Sequence, residues 1–248
     1  MTAPSWQLTD HQATLQHREG ATSFDIERPE RGMLLPASLR KENRLFTIWS
    51  DRVESSLMAA DSDAYVRRDD LVTTYGKRGS LPFSLQADWR AVTFASDACI
   101  WGLELILSTQ TLQPQNHVQI NCESLVSGTQ ILCLGNDGPS DFQPLDPTLA
   151  PVALTPECYS GCLVFREEND TCSYIEMIHP LDFIASRLQR HRDTPLWSLK
   201  HSAVDRILEK GVIFRSRLRG ILAPRERDLE IASCAYQNFC EAALPLAH

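Results

Sequence analysis

Hydrophobic and polar residues alternate with a period of two along much of this chain. In residues 84–94, positions 85, 87, 89 and 91 are apolar, and the positions between them are mostly polar. Residues 99–107 present one wholly apolar face, and residues 118–123 alternate again. Such alternation is typical of antiparallel strands that bury one face. Weaker alternation predicts strands at residues 45–50, 71–75, 130–134, 162–166 and 172–178.

Turn-forming residues separate these segments. Residues 76–79, Gly-Lys-Arg-Gly, can close a hairpin between two predicted strands, and Asn169 with Asp170 can close another. Meanders of this kind favour a sandwich over a parallel sheet. Residues 135–157 carry five prolines, which exclude a helix or a central strand there. That segment is either a linker or a long loop that lies over the sheet.

The apolar spacing becomes helical from Pro180. Apolar residues at positions 181, 184, 185 and 188 predict a first helix. Residues 202–211 predict a second, with a serine at its N-cap and a glycine at its stop. Residues 227–243 predict a third, and an arginine-rich strand pattern at 214–221 precedes it.

Together these patterns predict an α+β, mainly β fold: an antiparallel β-sandwich with C-terminal helices packed on or beside it. Residues 1–22 are mostly polar and predict a flexible arm. Residues 23–248 predict a single domain, β-rich to about 179 and α+β from 180, with a possible boundary in residues 135–157.

Composition is that of an ordinary globular protein. The 248 residues are 43% hydrophobic and 23% charged, with a formal net charge of −8. No apolar run approaches the roughly 20 residues of a membrane span, and the N-terminus lacks a secretory pattern. We therefore expect a cytoplasmic protein that does not bind membranes. The acidic balance also argues against binding nucleic acid.

The eight cysteines mostly lie inside apolar runs, which predicts reduced core residues rather than disulfides. Cys158 and Cys162 form a CxxxC pair, and no second pair completes a zinc site. No P-loop, dinucleotide, GxSxG or HExxH motif is present. We expect neither a metal nor a cofactor.

Charge is unevenly distributed. Residues 187–227 hold 11 of the 24 Lys and Arg but only 4 of the 32 Asp and Glu, whereas residues 91–165 contain no Lys or Arg. Arg215, Arg217 and Arg219 would share one face of a strand. Carboxylates on neighbouring strands can neutralise them, and the acids of residues 91–165, the stretch without Lys or Arg, are one source. Alternatively, they bind an anionic small molecule or mediate self-association.

Two histidines can serve as general bases. His179 lies where a strand pattern gives way to a helical one, and is the weak catalytic candidate. His117 begins a strand whose next polar positions are Gln119, Asn121 and Glu123. Either histidine can equally be structural.

Three tryptophans, Trp49, Trp89 and Trp101, fall within predicted strands. They form part of the core if they share its face. A tryptophan on an open sheet face could instead stack a sugar ring.

Two stretches, 64–72 (AYVRRDDLV) and 208–213 (LEKGVI) through Pro224-Arg225-Glu226, resemble segments of a bacterial family of uncharacterised proteins. The resemblance covers about a tenth of the chain and implies a bacterial soluble protein, with no activity attached.

Two functions remain open. The first is a non-enzymatic sandwich protein that uses Arg215, Arg217 and Arg219 to bind an anionic ligand or a protein partner. The alternative is a hydrolase or other enzyme acting on carbohydrate or a small polar molecule, built around His179 or an acid of residues 61–70.

Overall fold

The computed structural model describes residues 5–17, 20–35, 43–53, 62–76, 81–92, 101–111, 113–146, 148, 151–191 and 196–243. Within these ranges the chain forms two nine-stranded sheets, and their strand pairs are antiparallel. One α-helix, α1 (Asp228–Glu241), follows the last strand. The predicted α+β, mainly β class with a sandwich arrangement is therefore confirmed.

The strands of the first sheet, from edge to edge, are β1 (Ser5–Thr9), β2 (Gln12–His17), β3 (Gly20–Asp25), β4 (Met33–Leu34), β5 (Arg44–Trp49), β10 (Asn116–Ser127), β17 (Leu196–Leu208), β16 (Ser186–Arg190) and β13 (Val152–Leu154). Those of the second sheet are β12 (Phe142–Pro144), β11 (Gln130–Leu134), β14 (Cys162–Arg166), β15 (Cys172–Ile178), β18 (Ile213–Pro224), β9 (Trp101–Gln110), β8 (Ser84–Ala91), β7 (Asp70–Tyr75) and β6 (Ser62–Arg67).

The main hydrophobic core lies between the sheets, because the inward positions of the alternating strands meet there. Phe24 of the first sheet packs on Trp89 of the second, with ring centroids 4.5 Å apart. Trp89 and Trp101 are both buried, so the core interpretation holds for these two tryptophans. The cysteines within the described residues form no disulfide bond, and Cys122 and Cys162 are fully buried.

A second apolar cluster lies between α1 and the outer face of the second sheet. Ala232 and Phe239 of the helix pack over Ile175 and Met177 of β15. The first helical residue, Asp228, accepts hydrogen bonds of 2.7 Å from Nε and Nη2 of Arg166, and one of 2.5 Å from Ser173 Oγ. A carboxylate at a helix N-terminus also complements the helix dipole. In the part of the chain described, no helix is long and apolar enough to cross a membrane.

The strands predicted from period-two alternation are all present, together with the hairpin of β14 and β15. The 76–79 turn lies largely outside the described residues, but the strands it would join, β7 and β8, do pair antiparallel. The third predicted helix is α1.

The first two helices predicted after Pro180 are wrong. Residues 186–190 form β16, and residues 196–208 form β17, a strand of 13 residues. Inward positions 197, 199, 201 and 203 keep a period of two, and an irregularity opposite Ile120 shifts the pattern at Val204. The shifted pattern of apolar positions resembles the spacing that a helix would show. Pairing along the whole of β10 outweighs the local helical signal.

The flexible arm predicted at residues 1–22 is also wrong where it is described. Residues 5–9, 12–17 and 20–25 form β1, β2 and β3, and bury Trp6, Ala13 and Leu15. The few apolar residues of this segment alternate, so they suffice to cover one end of the core.

The proline-rich segment 135–157 contributes one short edge strand to each sheet. Phe142–Pro144 borders the second sheet, and Val152–Leu154 borders the first. Edge positions tolerate proline because one side of the strand needs no partner. Whether the chain is a single domain stays a prediction.

Candidate functional site

The arginine row lies on the face of β18 that is turned towards α1. Arg217 Nε and its backbone N–H each donate to Asp182 Oδ2 at 3.1 Å. Its Nη1 donates to the carbonyl of Ala242 at 3.1 Å. Arg219 donates to Glu104 Oε2, from Nε at 3.0 Å and from Nη2 at 2.5 Å. Both guanidiniums are thus neutralised inside the protein.

These contacts belong to a row of alternating charge that crosses four strands of the second sheet. Arg219 is in register with Glu104, Glu104 with Arg90, and Arg90 with Asp70. Arg90 Nη2 lies 3.0 Å from Asp70 Oδ2. Burial raises the pKa of Asp70, although Arg90 opposes that shift. Alternation of this kind relieves the repulsion that a bare arginine row would create.

Arg215 differs from its two neighbours. It is partly buried, and it has no ion pair or hydrogen bond from its guanidinium within the described residues. The row is therefore divided: Arg217 and Arg219 are tied into the structure, whereas Arg215 is available. The anion site predicted over all three arginines stays a prediction, and only Arg215 keeps a free cation for it.

His179 lies beneath α1 and is 2% exposed. Its Nε2 donates to the carbonyl of Cys240 at 3.3 Å, and its Nδ1 accepts from the backbone N–H of Leu181 at 3.2 Å. The imidazole packs edge-on against Phe239. Burial and the neighbouring Arg217 lower the pKa of His179. Its two ring nitrogens are occupied by backbone groups, which counts against a catalytic role.

His117 lies on the outward face of the first sheet, partly exposed, with Nε2 2.8 Å from Asp205 Oδ1. Glu123 follows on the same strand and face, six residues away, which is about 20 Å at the usual strand rise. A single sugar ring cannot contact both groups. His117 and Glu123 therefore do not belong to one catalytic centre.

A polar network is enclosed between the sheets. His201 Nδ1 and Ser186 Oγ are hydrogen-bonded at 2.6 Å, and His201 Nε2 lies 2.9 Å from Glu176 Oε1. Tyr174 O–H donates to Glu176 Oε2 at 2.6 Å. The arrangement resembles a Ser-His-acid triad. Ser186 alternates with the outward Arg187 and is 4% exposed, however, so its hydroxyl faces the interior network.

The open site lies on the other side of these strands, on the outward face of the first sheet. Because Val118, Ile120 and Cys122 of β10 point into the core, the alternate residues of β10 and of its neighbours point outward. We call the outward group the polar face. It comprises Thr47 and Trp49 of β5, Asn121 and Glu123 of β10, Ser198, Lys200 and Ser202 of β17, and Arg187 of β16.

Strand register arranges the polar face in rows. Thr47, Glu123, Lys200 and Arg187 are consecutive partners across four strands. Trp49, Asn121 and Ser202 form the adjacent row. Directly opposed residues on one face have Cβ atoms about 4.5–5.5 Å apart. Glu123 and Lys200 are thus immediate neighbours, a carboxylate beside an ammonium.

Trp49 is the aromatic member of the polar face and is partly exposed. Lys200 Nζ lies over its ring, 4.1 Å from the centroid, and 4.0 Å from Asp51 Oδ2. Asn121 Nδ2 lies 3.5 Å from the same carboxylate oxygen. Glu123 accepts a hydrogen bond from Ser198 Oγ. A ring, an ammonium, an amide and two carboxylates therefore surround one area of sheet.

Two polar atoms of this area lack a partner. Asn121 Oδ1 and Thr47 Oγ1 are buried and have no hydrogen bond within the described residues. Such atoms are uncommon and call for a ligand or water to satisfy them. A cleft of about 470 Å³ borders the face on the side of Arg187, Lys200 and Ser202. The volume is sufficient for a small sugar.

Sequence reasoning found only part of this face. It named Trp49 together with Trp89 and Trp101 as tryptophans of which one on an open face could stack a sugar, without choosing among them, and it noted Asn121 and Glu123 as polar positions after His117. Lys200 and Arg187 were missed because they fell in segments assigned to helices or to a general basic region. The usable signal was the period-two polar series 117, 119, 121 and 123, which marks an outward face.

Comparison with known proteins identifies a shared fold but gives no information on the reaction that this chain catalyses or the ligand that it binds. No family model and no curated protein matches the chain. The YeaD protein of Salmonella typhimurium, a proposed mutarotase, matches with a TM-score of 0.53 and 11% identity, over 90% of this chain and 94% of that one. A proposed aldose 1-epimerase from Klebsiella pneumoniae matches with a TM-score of 0.49 and 8% identity, over 100% of this chain and 93% of that one. The first likeness shows that the two chains share a fold.

Proposed function

We propose that this protein is a carbohydrate-active enzyme that binds an aldose on the polar face and interconverts its two anomers. The observation that carries the proposal is the neighbouring set of Trp49, Lys200 and Glu123 on one open face. A sugar presents apolar C–H groups and many hydroxyls, and such a face offers partners for both. The fold shared with a proposed mutarotase supports the same conclusion at the level of architecture.

The polar atoms available suit a sugar better than a simple anion. Asn121 Oδ1 and Thr47 Oγ1 lack a hydrogen-bond partner within the described residues, although both residues are buried and lie deeper than the partly exposed Trp49, Lys200 and Glu123. Carboxylate oxygens of Glu123 and Asp51 can accept further hydrogen bonds from sugar hydroxyls. These acceptors would repel an anion placed at the centre of the face. Of the two functions that the sequence leaves open, the carbohydrate enzyme is therefore better supported than the anion-binding protein.

Interconversion of anomers needs one base and one acid. Glu123 removes the proton of the anomeric hydroxyl, whose oxygen becomes the carbonyl of the open-chain aldehyde. The bond between C1 and the ring oxygen breaks, and Lys200 gives its proton to that oxygen. After rotation about the C1–C2 bond, the hydroxyl attacks the other face of the carbonyl. The protons then return to their original groups, so no other reactant is consumed.

The register of β10 and β17 makes this assignment geometrically reasonable. Glu123 and Lys200 are directly opposed, so their side chains can reach neighbouring oxygens of one ring. Lys200 must leave the ring of Trp49, where its Nζ now lies, to do so. Binding of the sugar against Trp49 would displace the ammonium towards the ring oxygen.

Calorimetric titration with free glucose, galactose, mannose and xylose tests binding. We expect at least one aldose to bind, and Trp49→Ala to weaken that binding several-fold, because stacking on an aromatic ring is worth roughly 0.5–1.5 kcal/mol. Leu181→Ala, which removes a highly exposed apolar side chain outside the polar face, is the control and should bind as the wild type does. Absence of binding by every aldose, or full affinity in Trp49→Ala, would contradict the proposal.

A further inference from the structure

A separate cleft of about 260 Å³ opens on the outward face of the second sheet. Its floor consists of hydroxyl and amide side chains, contributed by Thr74, Ser84, Gln86, Ser108 and Gln110. Thr74 Oγ1 is buried and has no hydrogen-bond partner within the described part of the chain. An unsatisfied hydroxyl in a cleft of neutral polar groups indicates a place for a ligand that carries hydroxyls.

Two exposed apolar side chains border this cleft. Tyr65 of β6 is 46% exposed and Ile213 of β18 is 54% exposed, and both contribute to its lining. Tyr65 can cover the face of a small ring, since its own ring is held on an outward position of an edge strand. The cleft therefore combines a polar floor with apolar sides, as small-molecule sites commonly do.

Among the described residues, Arg215 is the unpaired cation that strand register brings beside this cleft, although it is not one of the residues that line it. It is in register with Ser108 of the floor, and it lies two residues from Ile213 on the same face of β18. Unlike Arg217 and Arg219, it has no carboxylate partner within the described residues. A partly buried guanidinium without a partner loses hydration that nothing replaces. An anionic group on the ligand would supply the missing partner.

We propose that this cleft is a second ligand site, specific for a small carboxylated polyol such as a sugar acid. The carboxylate lies on Arg215, where a planar guanidinium can bind both oxygens. The hydroxyls lie on the amides and hydroxyls of the floor, beside Tyr65. Gln86 of the floor donates to Asp88, whose carboxylate is paired with Arg67, so Arg215 is left as the one unpaired charge beside the described part of the cleft. One unpaired cation matches a single negative charge, whereas a phosphate dianion would call for more. This site is independent of the reaction proposed for the polar face.

Calorimetric titration of the Trp49→Ala protein tests the site, because that variant removes the aromatic contact of the polar face. The probes are D-glucuronate, D-glucose and acetate. We expect glucuronate to bind at least tenfold more tightly than either of the others, since only glucuronate has both the carboxylate and the hydroxyls. Equal binding of glucose and glucuronate, or no binding of glucuronate, would overturn the proposal.

Location is tested by adding a second substitution to Trp49→Ala. Arg215→Gln should weaken glucuronate binding at least tenfold, and Arg28→Gln, which removes an exposed arginine elsewhere, should leave it unchanged. Tyr65→Ala provides an independent loss of affinity if Arg215→Gln fails to give a native circular dichroism spectrum. Full affinity in a folded Arg215→Gln protein, or in Tyr65→Ala, would overturn the assignment.

Discussion

Glu104 and Arg219 form an ion pair that is almost wholly enclosed between the second sheet and α1, with 8% and 9% of these residues exposed. Arg219 also lies 4.4 Å from the centroid of Phe239. Its Nη1 donates to the carbonyl of Ala235 at 3.4 Å, so Arg219 links the ion pair of the sheet to the C-terminal helix. Removing one partner would leave the other charge buried.

We expect Glu104→Ala to lower the free energy of unfolding by about 3–5 kcal/mol, the usual cost of leaving one member of a buried pair alone. Asp70→Ala is the matched control from the same charge row. Its pair with Arg90 is more exposed, so the expected loss is about 1 kcal/mol or less. Urea denaturation measures both. Similar losses in the two variants would contradict the burial argument.

The interior network predicts a structural role for Ser186. Ser186→Ala removes its hydrogen bond to His201 Nδ1. The expected cost is about 1–3 kcal/mol, because one buried polar atom loses its partner. The rate of anomer exchange should not change, since the hydroxyl faces the interior. A large loss of rate in a protein that keeps its melting temperature would instead indicate that Ser186 reacts with substrate.

The lowered pKa of His179 predicts that the stability of the folded protein depends on pH. Its pKa in the folded protein is lowered from the ordinary value of 6.5 by burial and by Arg217. The unfolded chain therefore takes up a proton first as the pH falls through 6.5, and the folded state loses stability from there down to the lowered value. Above 6.5 the contribution of His179 is fully present.

The test compares unfolding free energies of the wild type and His179→Gln between pH 5 and pH 8. The wild type should lose more stability on acidification than the variant does, because Gln does not titrate. The difference should be confined to the region below 6.5, the ordinary pKa of the imidazole. Parallel curves for the two proteins would show that the histidine does not hold a lowered pKa.

Lys200 is predicted to donate the proton to the ring oxygen. Lys200→Met keeps the aliphatic stem and the contact with Trp49 but removes the acid. We expect a loss of about 10²-fold or more in the rate of anomer exchange, in the usual range for one acid–base group. The melting temperature should change little, since the ammonium is partly exposed. A rate equal to that of the wild type would remove Lys200 from the mechanism.

The strands could be predicted because their pattern is local. Residues 85, 87 and 89 alternate with polar neighbours, and that alternation alone marks β8. The strand β17 was hidden because the shift at Val204 breaks its period, and because its stability comes from pairing with β10, about 80 residues earlier in the chain. Local patterns contain no information about that partner.

The polar face could not be predicted as a site for the same reason. Glu123 and Lys200 are 77 residues apart in sequence and become neighbours only through the register of β10 and β17. Arg219 and Glu104 are likewise 115 residues apart. The sequence indicated that acids of residues 91–165, where no Lys or Arg occurs, were available to the arginine row. It did not indicate which acid faces which arginine. Those choices depend on tertiary pairing.

The most direct test of the account is the rate of anomer exchange in the wild type and in Glu123→Gln. Exchange between the α and β forms of glucose, galactose, mannose and xylose can be followed by NMR saturation transfer in the presence of protein. We predict that the wild type accelerates exchange for at least one aldose, and that folded Glu123→Gln reduces this acceleration about 10²-fold or more, because the base is lost. No acceleration by the wild type for any aldose, or an unchanged rate in Glu123→Gln, would contradict the account.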